Sequence, residues 1–411
     1  MDITAGGLPA RYRWTVLATG TFAQATFATV SVGLPALAPA LRSDYALTLG
    51  ETGVVLGAVG LGMLLTLFPW GLLADRVGER AVIAVGLAGA AVALGVAAVS
   101  ATFGELCVAL VLAGALGASV NAASGRAVMG WFEVGERGLA LGIRQTALPI
   151  GGAVAAASLP WLASAGGTRL AFFVLAGAAG VGAVMAAALM RDARPVSVHV
   201  SADLKAPVRD PTMWLLGTGS ALYLVAQTAL TSFVVLFLHE DRGLSAGAAA
   251  GVLAAINVVG IGARIAVGRR SDRVRARVRP VRAIGMALTA AVVVVAILVA
   301  APLAVLVPAI VVAGVLSLSW NGLAFTAAAE TAGLAQSGAA LGFQQTLLGV
   351  TGAAVPPAFA ALVAGSSWRV AFAASALGPL LGVLALRRVP EPTSPRAARR
   401  SGTSALPPAA R

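Results

Sequence analysis

The sequence predicts an all-α polytopic membrane protein whose twelve transmembrane helices form two pseudo-symmetric six-helix bundles. Three observations predict it. Of 411 residues, 59% are hydrophobic and only 11% charged, whereas soluble domains are about 25% charged and about half apolar. The apolar residues are gathered into runs of the ~20 residues that a bilayer crossing needs. The second half of the chain repeats features of the first at a near-constant spacing of about 200 residues.

The elements follow in order. The first apolar run comes after Arg11 and Arg13, as a signal peptide would, but it continues from Trp14 to Leu41. That exceeds the ~7–15 residues of a cleavable core, so it reads as a retained first span. Apolar runs at 14–41, 52–73, 81–101, 105–130, 138–163 and 168–190 make the first set. The second set lies at 212–238, 245–268, 281–301, 303–328, 337–364 and 367–387. The expected organisation is a short N-terminal segment (1–13), a first bundle (14–190), a linker (191–211), a second bundle (212–388) and a tail (389–411). The linker holds Pro195, His199, Lys205 and Pro207, and the tail is rich in Pro, Ser and Arg, a composition expected to stay disordered.

Basic residues set the orientation. Arg126, Arg144 and Arg264 fall within spans, Arg42, Arg169, Arg242 and Arg369 fall on one face, and all the others fall on the face of the termini. The positive-inside bias expects both termini in the cytoplasm of a bacterial cell, with an even number of crossings. The net charge of +13 does not point to nucleic acid, because the basic residues are scattered between apolar spans and not gathered on a soluble module. Cys107 is the single cysteine and reads as a small buried apolar residue. His199 and His239 lie in loops or at span ends, so no metal centre or other cofactor is expected. The expected partners are the lipid bilayer and a small-molecule substrate, for a protein acting as a monomer.

The internal repeat is specific. LALGIRQTALPIGGA from Leu139 parallels AALGFQQTLLGVTGA from Ala339, Arg169 and Phe172 parallel Arg369 and Phe372, Asn121 parallels Asn321, and Trp14 parallels Trp214. Parallel six-span repeats place a binding site at their interface. A charged turn, GLLADRVGER, lies at Gly71–Arg80 between two spans, and a worn copy, GRRSDRVRAR, lies at Gly268–Arg277.

These residues carry a resemblance to the major facilitator superfamily over about residues 11–388. The Gly71–Arg80 decapeptide is similar to that family's signature loop between its second and third spans, and ERGLALG at Glu136–Gly142 is typical of the start of the fifth. The resemblance implies a secondary transporter working by alternating access between the two halves. It also implies that Asp75 faces the start of the eleventh span and latches the inner gate in the outward-open state. Gly71 and Gly78 would permit close approach and a sharp turn, while Asp75, Arg76 and Arg80 would pair with charges and helix ends. The alternative is a solvated turn that only holds topology. Asp272 and Arg273 survive in the second copy, but Arg275 replaces its second glycine, so a weaker latch is expected there.

The candidate binding residues are polar groups within spans. Arg144 and Gln145 in the fifth span match Gln344 and Gln345 in the eleventh; an intramembrane charge normally faces a cavity or a partner. Arg264 lies eight residues before Asp272, about 12 Å along a helix. Some small-anion carriers of the family, the nitrate and nitrite porters, have a substrate-binding arginine there. They pair it with one in the second span, where this chain has Leu67, which argues against nitrate itself. Anion binding and snorkelling to headgroups both stand for Arg264. Asn257 shares its helix face. Gln24, Asn121, Tyr223, Gln227, Trp320 and Asn321 complete a set that is polar and mostly uncharged, each also able to serve as a packing hydrogen bond. Arg126 is expected to pair with Glu133 or Glu136.

Two absences shape the functional reading. No acidic residue is expected at mid-membrane, where proton-coupled carriers usually hold a carboxylate, so a coupling proton has no assigned site. Leu148-Pro149-Ile150-Gly151-Gly152 only loosely resembles the Gly-Pro motif of the family's drug/proton antiporters, with one spacer and the first glycine missing. The leading expectation is transport of a small organic solute, an anion among the candidates, with multidrug or metabolite efflux as the alternative. A membrane sensor ranks lower for want of a soluble signalling domain, and an intramembrane enzyme lower still for want of a catalytic dyad.

Overall fold

The computed structural model describes residues 11–132, 136–192, 206–274, 276–332 and 336–391. The expected tail and most of the linker lie outside them. Among the described residues there is no strand, and eleven helical stretches are long and apolar enough to cross a bilayer. One of the eleven, Ala140–Leu189, has 50 residues. At 1.5 Å per residue it is about 75 Å long, over twice the ~30 Å hydrocarbon core. It is interrupted at Gly166 and Gly167, where Gly167 has φ 67° and ψ −176°. Only glycine takes that conformation without strain, and the chain reverses there. The stretch is therefore the fifth and sixth spans, and the fold has twelve crossings in two six-helix halves.

Both described ends lie on one side, here the terminal face. Helix starts are fixed by local chemistry. The second span (Leu49–Ala74) and the fourth (Phe103–Val128) open with capping boxes, Thr48 with Glu51 and Thr102 with Glu105. The seventh (Pro211–Asp241) opens with Pro211 behind the Asp210 cap. Two other starts are capped from far along the chain. The Asp192 carboxylate, just past the sixth span, accepts from the Arg80 backbone N–H at 2.8 Å. Glu391, just past the twelfth, accepts from the N–H groups of Arg277, Val278 and Arg279 at 2.6–3.0 Å. Each half thus ties the end of its last span to the start of its third.

Four expected spans are broken; the runs 138–163 and 367–387 are interrupted only at a single residue each, Thr146 and Ala376. The run 14–41 divides into a helix at Tyr12–Ser31, a 3-10 turn at Leu34–Leu37 and a helix at Ala38–Asp44, because Pro35 follows the Gly33 position and cannot donate to the helix behind it. The run 303–328 divides at Trp320, between Leu303–Ser319 and Asn321–Ala332. Hydropathy reports the greasiness of such segments and not the continuity of their hydrogen bonds.

Small residues let the backbones meet. Within the first half, a Cβ on Gly62 would lie 2.0 Å from the Val111 carbonyl oxygen and one on Gly114 2.1 Å from that of Val59, so spans two and four touch backbone to backbone. Between the halves, span two meets the eleventh (Ala339–Gly365) in the same way. A Cβ on Gly53 would be 2.6 Å from Ala360 Cβ, and one on Gly57 2.9 Å from the Ala353 oxygen. Pro356 and Pro357 have no N–H for the Gly352 and Ala353 carbonyls four residues earlier. Those oxygens lie against Gly57 and Gly60, where a Cβ would stand 2.9 Å from the Ala353 oxygen and 3.4 Å from that of Gly352. This seam lies in the part of the membrane away from the termini. Toward the terminal face it ends, since a Cβ on Gly71 or Gly342 would meet nothing and Gln345 is exposed.

Candidate functional site

The polar residues expected in the spans fall into two matched groups. In the first half, Gln24 donates to Asn121 Oδ1 at 3.1 Å. Arg144 donates from Nε to the Ser124 hydroxyl at 2.8 Å and from Nη2 to the Asn121 carbonyl at 3.1 Å. Spans one, four and five are joined by these contacts. In the second half Gln344 stands where Arg144 does, and donates to the Ser220 hydroxyl at 2.8 Å. The two halves thus hold the same place with a cation on one side and an amide on the other.

Arg264 belongs to the eighth span, Ala246–Val274. It donates from Nε and Nη2 to the Leu318 carbonyl, at 3.2 and 3.0 Å. That carbonyl lies in the last turn before the break at Trp320, where helix carbonyls lose their intrahelical donors. The break therefore supplies the anchor that holds Arg264. Asn257, two turns away on the same span, is buried where a Cβ on Gly152 of span five would lie 3.0 Å from its Oδ1. It sits in the closed contact between the halves.

Tyr223 is placed differently from its neighbours. It is fully buried, its hydroxyl donates to the Val281 carbonyl at 3.2 Å, and its ring packs edge-on against Trp320 with centroids 5.6 Å apart. Gly285 and Gly382 leave the room it fills. Its polar group is committed to packing within the second half, and the i, i+4 spacing to Gln227 did not reveal that. Several of the others keep a buried polar atom without a protein partner among the described residues: Gln24 Oε1, Gln227 Oε1, Asn257 Oδ1, Trp320 Nε1, Asn321 Oδ1 and Gln344 Oε1. Such atoms inside a bilayer call for a ligand or water. Gln145 is half-buried beside Arg144, and Gln345 is exposed.

The charged turn at the terminal face is built from within the first half. Gly78 has φ 90°, which favours glycine, and a Cβ there would lie 2.5 Å from the Asp192 carboxyl carbon and displace that carboxylate. Arg80 donates from Nε to the Ala187 carbonyl at 2.7 Å. Arg76 is exposed, and the side chain of Asp75 lies outside the described residues. In the second copy Arg277 binds Asp272 at 2.6 Å and Glu330 at 3.1 Å. Burial works against its charge, yet the hydrogen bonds it donates to Glu330 and Asp272 outweigh burial and raise its pKa. Arg273 is exposed. Arg126 has Glu79 as a partner at 2.9 Å, whereas Glu136 is taken by Arg13 at 2.7 Å and Glu133 lies outside the described residues.

On the opposite face the halves are joined by charge. Arg42, at the end of span one, is ion-paired with Glu240, at the end of span seven. With the glycine seam of spans two and eleven, this pair closes that face. Removing one charge, as in Glu240→Gln, is expected to raise the reactivity of a cysteine at Asn257 toward reagent added from that side. Exchanging the charges (Arg42→Glu with Glu240→Arg) should return it to the parent value. If the single change has no effect, the pair does not hold the gate.

A profile of the Major Facilitator Superfamily matches residues 17–356. An uncharacterized MFS-type transporter of Mycobacterium tuberculosis, Rv2994, is 35% identical over 396 residues, which is 95% of this chain and 88% of the relative. The chain therefore belongs to the major facilitator superfamily of secondary transporters. Among solved structures, a bacterial homologue of the human lysosomal transporter Spinster, in an inward-facing and unoccupied conformation, superposes with a TM-score of 0.79 at 16% identity. The match covers 92% of this chain and 98% of that one. A point mutant of the nucleoside transporter NupG gives 0.72 at 14% identity over 91% of this chain and 99% of its own. At such identities the likeness is one of fold.

Proposed function

We propose that the protein carries a small organic anion across a bacterial cytoplasmic membrane by alternating access, as a monomer with both termini in the cytoplasm. The carrying observation is the state of its two intramembrane arginines. Arg144 and Arg264 come from different halves and, among the described residues, bind only neutral acceptors, Ser124, Asn121 and Leu318. A charge within a span that has no carboxylate partner suits a negatively charged cargo. On this reading the halves are residues 14–190 and 212–388, and the site lies between them. Gln24, Asn121, Gln145, Gln227, Asn257, Trp320, Asn321, Gln344 and Gln345 offer the neutral hydrogen bonds.

A thermal-shift screen of the purified protein against small carboxylates, other small anions and common cationic drugs tests this. A carboxylate should raise the melting temperature, and Arg264→Ala should abolish the rise. Stabilisation by the drugs alone would support efflux of lipophilic cations instead. Asp75 acts as the latch of the terminal face, so Asp75→Asn should slow transport in liposomes severalfold while leaving the thermal shift intact. An unchanged rate would remove the latch.

A further inference from the structure

Spans one and six do not close against each other near the terminal face. A groove of about 600 Å³ lies between them, walled by Trp14, Thr15, Ala18 and Phe22 on one side and by Met185 and Leu189 on the other. With Arg11 before them, the four residues of span one are spaced i, i+3, i+4, i+7 and i+11, a single stripe down the helix. Gln24 turns instead toward Asn121 of span four. Trp14, Ala18 and Phe22 are exposed among the described residues, so their neighbours in a bilayer are lipids. The second half packs its matching seam with a larger side chain. Leu386 stands where Ala186 does and is buried, its Cγ 2.9 Å from where a Cβ on Gly219 would be. Pro211 stands where Arg11 does.

The groove ends in positive charge. Arg11 continues the stripe one turn beyond Trp14, and Arg191 lies two residues past Leu189. Arg191 donates to the Ala188 and Met190 carbonyls at 3.0 and 2.9 Å. The carboxylates nearby are used elsewhere: Glu136 binds Arg13, and Asp192 accepts from the Arg80 backbone. Among the described residues neither Arg11 nor Arg191 has a carboxylate partner. Tryptophan settles at headgroup depth, so an acyl chain laid along Ala18 and Phe22 brings its phosphate level with these arginines. We infer that the groove holds one anionic phospholipid, with a chain between spans one and six and its phosphate at Arg11 and Arg191. A zwitterionic lipid offers the same chains, so charge decides which lipid is kept. Trp14 also packs edge-on against Phe132 at 5.3 Å, with Arg13 over both rings. The lipid therefore braces the place where spans one, four and six meet the terminal face, whatever the cargo.

Native mass spectrometry tests this on the full-length protein, stripped of lipid in detergent. Dioleoyl phosphatidylglycerol and dioleoyl phosphatidylcholine are offered together at equal concentration. The parent should retain one phosphatidylglycerol in preference to phosphatidylcholine. Arg11→Gln should lower that preference about fivefold, the change that the roughly 1 kcal/mol contributed by one arginine at an anionic surface produces. Arg279→Gln, which removes an exposed arginine at the start of span nine on the same face, should leave it unchanged. Ala18→Phe fills the groove and should release the lipid, whereas Thr218→Phe at the matching position of the second half should keep it. Arg11, Ala18 and Thr218 are exposed, so the variants should elute as the parent does. Phosphatidylglycerol should also raise the melting temperature of the parent more than that of Ala18→Phe. Equal retention of the two lipids by the parent would reduce the occupant to an ordinary boundary lipid and overturn the inference. So would a loss with Arg279→Gln as large as with Arg11→Gln, which would mean a general attraction to a basic face. Retention of phosphatidylglycerol by Ala18→Phe would place the lipid elsewhere.

Discussion

Gly53→Leu is expected to leave the protein folded and to stop it cycling. A Cβ at this position would lie 2.6 Å from Ala360 Cβ and 2.7 Å from the Pro356 carbonyl oxygen, both in the other half. The clash exists only while spans two and eleven are pressed together on the face away from the termini. Overpacking of this kind costs about 1–3 kcal/mol, which is about a 5- to 150-fold shift between two conformations. The variant should therefore rest open to the opposite face, with transport reduced in that proportion and with parental expression and melting behaviour. Transport at the parental rate would show that the glycine seam does not have to close.

Gly114→Leu is expected to do something different, namely to prevent folding. Its Cβ would fall 2.1 Å from the Val59 carbonyl oxygen and 2.8 Å from the Val59 carbonyl carbon. Both atoms belong to the backbone of span two in the same half, so no side chain can rotate away. That contact is needed in every conformation, and a penalty of several kcal/mol is comparable to the whole stability of a typical domain. The measurement is the fraction of monodisperse protein recovered after extraction into detergent, which should fall to near zero. Recovery equal to that of Gly53→Leu would contradict the close packing of spans two and four. The contrast between two glycines on facing surfaces separates what holds each half from what joins the halves.

The crossings themselves were plain in the sequence because each needs a long apolar run, and the break between the fifth and sixth was marked by Gly166 and Gly167. The register of the halves was equally plain, since Asn121 and Asn321, or Arg144 and Gln344, keep their spacing. Interruptions inside a run were not. Gly33 and Pro35 divide the first span and Trp320 the tenth, and the second of these breaks frees the Leu318 carbonyl that anchors Arg264. No window of hydropathy registers a lost backbone hydrogen bond.

Contacts between distant positions were the other blind spot. Asp192 and Glu391 looked like residues of a linker and a tail, yet they cap the third span of each half. Arg42 and Glu240 were ordinary charges at span ends until the fold set them against each other. Tyr223 shows the converse. Its depth in the membrane suggested a cavity, but rotation about the helix axis turned it toward Val281 and the glycines of spans nine and twelve. Depth is legible from counting residues along a span, whereas the direction a side chain faces depends on how each helix is rotated against its neighbours.

The most direct test uses two single cysteines in a Cys107→Ser background, in sealed vesicles treated with a membrane-impermeant maleimide from one side at a time. Gln345→Cys is exposed on the open side of the molecule and Asn257→Cys is buried under the closed one. Gln345→Cys should react only with reagent on the terminal face and Asn257→Cys only with reagent on the opposite face, and adding Gly53→Leu should slow the first while speeding the second. Reaction of both from the same face, or rates that rise and fall together, would contradict a rocking motion of two halves about a shared site.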